Sequence, residues 1–73
     1  MYLAILQTNY EIYAIGQTEE DARRNIVKGY KRMYPRKEDR SVEKVTYEAL
    51  NEFFGIAIYE IGKRGYAIEG GLW

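Results

Sequence analysis

The stretch TEEDARRNIVKGYKRMY, residues 18–34, decides the fold because it is the longest periodic segment of the chain. Thr18 is suited to cap a helix N-terminus, and the carboxylates of residues 19–21 suit its positive end. Pro35 disfavours helix at Tyr34, so we expect the helix to end there. One stripe of this helix is apolar and comprises Ala22, Ile26, Tyr30 and Met33. The spacing therefore predicts one packing face and one basic face.

Short strands are predicted before this helix. Residues 2–8 begin with an apolar run that suits a strand, residues 11–15 are rich in isoleucine and tyrosine, and the turn-forming Asn9 lies between them. This pattern predicts a hairpin that leads into the helix. Gly29, at the edge of the helix stripe, is expected to let the helix approach the sheet closely, since glycine has no side chain.

A second helix is predicted over residues 46–54. Thr46 is its expected N-cap, and Gly55 is the glycine expected just after its end. Within it, Leu50, Phe53 and Phe54 are predicted to face the core. Strands are then predicted at residues 56–61 and 66–69, joined by a loop at residues 62–65 that has glycine at both ends.

The predicted order of elements is ββααββ in a single domain over residues 1–73. The simplest compact arrangement is a small α+β fold, with a four-stranded antiparallel sheet and both helices packed on one face. We expect a flexible polar loop over residues 35–41 and a short C-terminal tail over residues 70–73. The composition of residues 41–45 leaves strand, helical turn and loop all open.

The composition excludes several classes of function. The 73 residues include no cysteine and no histidine, so a disulfide, an ordinary Cys/His zinc site and a histidine general base are all ruled out. No apolar run approaches the ~20 residues that a membrane helix requires. These absences predict a cytoplasmic, non-catalytic protein with no cofactor and no bound metal.

Charge is unevenly distributed although the net charge is zero. Between Arg23 and Arg40 there are eight basic and two acidic residues, a local charge of +6, so the remainder carries −6. The candidate residues for binding nucleic acid or an acidic partner are Arg24, Lys28, Lys31, Arg32, Arg36 and Lys37. The alternative is a solvated helix face and loop, and the acidic remainder weakens the nucleic-acid hypothesis because it repels phosphates.

Eight tyrosines suggest a second kind of site. A sheet covered by helices on one face leaves its other face open, and some strand tyrosines must point that way. Tyrosine is enriched at protein interfaces, although it is also an ordinary strand residue. The candidate partner-binding residues are Tyr2, Tyr13, Tyr59, Tyr66 and Trp73; the alternative for Trp73 is that it caps the small core.

The function predicted from the sequence is a non-catalytic protein-binding module. Its expected form is a phage- or mobile-element-borne inhibitor or adaptor that acts by stoichiometric occlusion of a partner protein. One alternative is a nucleic-acid-binding protein that uses the basic face of residues 18–34 and the loop that follows. Another is a structural homo-oligomer, such as a homodimer, built through an edge strand or the open sheet face.

Overall fold

The computed structural model describes residues 1–8 and 11–62 of the chain. Its strands are β1 (Tyr2–Leu6), β2 (Tyr13–Gly16) and β3 (Ile56–Glu60), and its helices are α1 (Glu19–Met33) and α2 (Tyr47–Phe54). One turn of 3₁₀ helix, Lys37–Asp39, lies between the two helices. The order ββααβ agrees with the α+β prediction as far as it extends.

The described strands form a three-stranded antiparallel sheet in the order β2-β1-β3. The first strand of the chain is therefore central, and Leu3 pairs with Ile15 on one side and with Tyr59 on the other. The sequence predicted four strands, but the fourth, at residues 66–69, lies outside the described residues, as do the turn at Asn9 and most of the loop at residues 62–65.

The core lies between one face of the sheet and the two helices. Ala4 and Leu6 of the central strand are fully buried, and they pack in one cluster with residues of both helices. The buried members of this cluster are Ala4, Leu6, Ile12, Ala22, Ile26, Tyr30, Val42 and Leu50. Both helices therefore contribute to one core cluster with the central strand.

Both helices begin at the predicted threonine. The Thr18 hydroxyl accepts a hydrogen bond from the Asp21 amide at 3.1 Å, and the Thr46 hydroxyl accepts one from the Ala49 amide at the same distance. Helix α2 ends at Gly55, whose φ of 78° favours glycine. The capping signals in the sequence therefore located the helix ends to within a residue.

Two apolar residues do not lie where the helical periodicity placed them. Phe53 was predicted to face the core but is 58% exposed, because Leu50 and Phe54 already occupy the inward side of α2. Met33 was assigned to the packing stripe of α1 but is 49% exposed. At that end of α1 the neighbouring Tyr34 packs against the core, which leaves Met33 turned outward.

The connection from α1 to α2 is irregular apart from its 3₁₀ turn, and residues 41–44 form bends, not a strand. The Arg40 guanidinium donates to the Tyr34 carbonyl at 2.8 Å, and the Tyr30 hydroxyl accepts from the Ser41 amide at 2.9 Å. Val42 is buried next to these contacts. These two hydrogen bonds hold residues 40 and 41 against the C-terminal end of α1. The flexibility expected for residues 35–41 remains a prediction.

Candidate functional site

The face of the sheet opposite the helices is apolar and partly exposed, and we call it the open sheet face. Because directly paired residues share a face, the register places Leu3, Ile5, Tyr13, Ile15, Ala57 and Tyr59 on it. Tyr13 is 62% exposed and Ile15 is 47% exposed, and the other four side chains are half-buried. None of these six residues carries a charge.

The candidate tyrosines divide between the two faces of the sheet. Tyr13 and Tyr59 lie on the open sheet face, as the partner-binding hypothesis requires. Tyr2 does not, because it shares its strand face with Ala4 and packs against the core. Tyr66 and Trp73 lie outside the described residues. The open sheet face also contains four aliphatic residues that the sequence did not mark as a site.

A second surface lies along the line where α1 passes α2, and we call it the interhelical groove. Val27 and Tyr47 contribute its apolar surface, and charged side chains surround them. The groove is lined by Glu20, Arg23, Arg24, Val27, Lys28, Lys31, Tyr47 and Glu48. Four of these eight residues are basic and two are acidic, so the groove carries an excess of positive charge.

The cations of the groove fall into two pairs. Arg23 contacts Glu19 at 3.2 Å and lies over the Tyr47 ring, 5.7 Å from its centroid, and Arg24 contacts Asp21. By contrast, Lys28 and Lys31 form no ion pair with any carboxylate in the described residues. The two lysines are therefore the cations available to an incoming anion.

Only half of the predicted basic site is gathered in this groove. Arg24, Lys28 and Lys31 line it, whereas Arg32, Arg36 and Lys37 do not. Arg32 is rotated by about 100° from Lys31 around the helix, which carries it past the groove. Arg36 and Lys37 are exposed in the connection that follows α1.

Five of the eight residues that line the groove were not predicted as site residues: Glu20, Arg23, Val27, Tyr47 and Glu48. Among them, Arg23 and Tyr47 lie against each other. Their contact joins α1 to α2, and no pattern within either helix specifies which faces of the two helices meet. The sequence offers one signal for this contact: a basic residue flanks the apolar stripe of α1, and a tyrosine lies just after the N-cap of α2.

A smaller apolar patch surrounds Phe53, whose ring lies 4.8 Å from that of Phe54 in an edge-on arrangement. A shallow depression next to it is lined by Val42, Ala49 and three polar residues. The described residues contain no group of three or more acidic side chains placed to hold a metal ion. Neither α1 nor α2 has the length and apolar character needed to cross a membrane.

Comparison of the chain with protein-family models, with curated proteins and with solved structures found no match. The function is therefore inferred from the open sheet face and the interhelical groove themselves.

Proposed function

We propose that this chain is a non-catalytic protein-binding module whose open sheet face binds an amphipathic helix of a partner protein. The observation that carries the proposal is the apolar, uncharged character of that face, together with the exposure of Tyr13 and Ile15 at its β2 edge. Contiguous apolar surface of this kind is typical of interaction sites. Such a module acts as an inhibitor or adaptor by occupying its partner, with no turnover.

The dimensions of the face favour a helix as the occupant. Three strands place the outer strand axes about 10 Å apart, and five residues extend for about 16 Å. A helix is about 10 Å wide and rises 1.5 Å per residue, so one helix of about three turns covers this area. The opposite face of the same sheet already packs against helices through small and branched side chains such as Ala4 and Leu6.

A second copy of the chain is a less suitable occupant of the open sheet face. A stable interface buries about 800 Å² per partner and involves roughly 20–30 residues on each side. The part of the chain that the structure describes contributes six residues to this face. A homodimer therefore requires additional contacts, whereas a single helix in a small apolar site is a common mode of moderate-affinity recognition.

Nucleic-acid binding is the second candidate function, and the observation in its favour is the pair of lysines without ion-pair partners in the groove. Phosphate contacts would make such binding strongly salt-dependent. Glu20 and Glu48 oppose it because they line the same groove. The six described residues of the open sheet face carry no charge, so the two candidate functions use different surfaces.

The proposed function is tested by site-specific photo-crosslinking. We would place p-benzoylphenylalanine at Tyr13 in one variant and at Phe53 in another, and irradiate the tagged proteins in host lysate with and without nuclease. The two positions form a matched pair, because both are exposed aromatic residues, at 62% and 58%. We expect one protein to be crosslinked from position 13 in both nuclease arms, at an attachment point within an amphipathic helix.

Adding Ile15→Asp to the Tyr13 probe should lower the crosslinking yield by about tenfold or more, because a carboxylate would be buried under the partner. Equal labelling from positions 13 and 53 would contradict the proposal, as would an attachment point outside a helix. A crosslinked product made of two copies of this chain would show that the open sheet face binds a second copy and not a helix of another protein. Loss of the product after nuclease treatment would favour nucleic acid.

A further inference from the structure

The interhelical groove has a definite distribution of charge along its length. At one end, Glu20 lies one turn before Arg23, and Glu48 follows Tyr47 directly. At the other end are Lys28 and Lys31, which lie further along α1. From residue 20 to residue 31 the helix rises about 16 Å. The groove thus has one end of mixed charge, where Arg23 and Arg24 lie with the glutamates, an apolar middle at Val27, and a basic end.

We infer that this groove binds a short acidic segment of a protein, in which an apolar side chain lies on Val27 and carboxylates contact Lys28 and Lys31. The charges are complementary at the basic end, where the two lysines have no ion-pair partner among the described residues. The apolar middle matches an aliphatic side chain of such a segment. The site is formed by the helices, so it does not depend on the open sheet face.

Two features favour a protein segment over nucleic acid. The Arg23 guanidinium already lies 5.7 Å from the centroid of the half-buried Tyr47 ring, so that ring is not a free platform for a base. In addition, a phosphate backbone carries charge at every nucleotide, so it would meet the carboxylates of Glu20 and Glu48. A peptide can confine its carboxylates to the basic end.

The test is a fluorescence-anisotropy titration of the full chain with a labelled peptide of sequence Gly-Leu-Asp-Glu-Asp, in which all the acidic side chains lie on one side of the leucine. The groove variant is Lys28→Glu/Lys31→Glu, and its matched control is Arg36→Glu/Lys37→Glu. Both variants change the net charge by the same amount, but the control positions lie outside the groove. We expect the groove variant to weaken binding at least about fivefold and the control to change it less than about twofold.

Replacing leucine in the peptide by glycine should also weaken binding, because the apolar contact is lost. The milder variant Lys28→Gln/Lys31→Gln distinguishes lost contact from misfolding and should weaken binding in the same direction. Ile15→Asp should leave peptide binding unchanged, which separates this site from the open sheet face.

The inference would be overturned if the peptide showed no measurable binding, or if the groove variant and its control lost peptide affinity equally. Tighter binding of an oligothymidylate of five nucleotides than of the peptide, lost in the groove variant, would assign the groove to nucleic acid instead.

Discussion

Gly16 is the residue at which the sheet and α1 approach most closely. It is the last residue of β2 and is buried. A Cβ atom at this position would lie 2.3 Å from the Ala22 amide nitrogen, which is backbone and cannot rotate away. The sequence had suggested Gly29 for close approach, yet a Cβ there would meet only Ile12, at an ordinary contact distance of 3.8 Å.

The two glycines should therefore respond oppositely to alanine. We expect Gly29→Ala to raise the free energy of unfolding by up to about 1 kcal/mol, because alanine favours helix and the space for its methyl group exists. Gly16→Ala should lower it by about 1–3 kcal/mol, because the added methyl group overlaps the first turns of α1. Urea denaturation followed by circular dichroism measures both. Destabilisation by Gly29→Ala would show that α1 lies closer to the Ile12 side chain than described.

Helix α2 has only eight residues, so its ends contribute a large part of its stability. At its start the Thr46 hydroxyl accepts from the Ala49 amide, and near its end the Asn51 side-chain oxygen accepts from the Ile56 amide at 2.9 Å. The second bond joins the helix directly to β3. Gly55 lies between them in the left-handed region.

Removal of the α2 cap should be measurable in the whole protein. We expect Thr46→Ala to lower the free energy of unfolding by about 1 kcal/mol, since one amide loses its partner. Thr46→Ser keeps the hydroxyl and should cost only a fraction of that. Chemical denaturation of the three proteins gives the comparison, and equal losses for alanine and serine would mean that the threonine methyl group, not the hydrogen bond, is responsible.

Elements with local signals were predictable from the sequence, and those that depend on neighbours were not. Thr18, Thr46 and Gly55 mark helix ends through chemistry confined to one turn, and all three lie where they were expected. Periodicity gives the direction of a side chain but not what lies opposite it. Phe53 and Met33 were therefore assigned to the core and are exposed.

At the scale of the molecule, the sheet has one face under helices and one open face, and residues 12–16, which comprise β2 and the residue before it, supply an isoleucine to each. Ile12 is 3% exposed and packs in the core, whereas Ile15 is 47% exposed on the open sheet face. The same amino acid, three positions apart, is thus in two different environments.

Aspartate at these two positions should separate the faces. We expect Ile12→Asp to lower the free energy of unfolding by about 3 kcal/mol or more, because apolar burial is lost and a carboxylate is desolvated. Ile15→Asp should cost no more than about 1 kcal/mol, the range of strand propensities. Thermal melts of both variants provide the measurement. A large loss from Ile15→Asp would mean that the open sheet face is covered within the chain.

The candidate surfaces were only partly predictable for the same reason. An uncovered, tyrosine-bearing sheet face followed from the order of elements, and Tyr13 and Tyr59 lie on it. The interhelical groove depends on which faces of α1 and α2 meet. Because of that contact, Lys28 and Lys31 line the groove, whereas Arg32 and Arg36 of the same basic run lie outside it.

The central position of β1 has a consequence for synthesis on the ribosome. One of its partners, β2, ends at Gly16. Its other partner is β3, in which Ile56 pairs with Leu6 although it lies fifty residues later in the chain. At about 5–20 residues per second, translation from the end of β2 to the end of β3 takes roughly 2–9 seconds. A hairpin forms within about 10 microseconds. For seconds, therefore, β1 can pair with β2 but not yet with β3, and its second backbone edge is open to chaperones or neighbouring nascent chains.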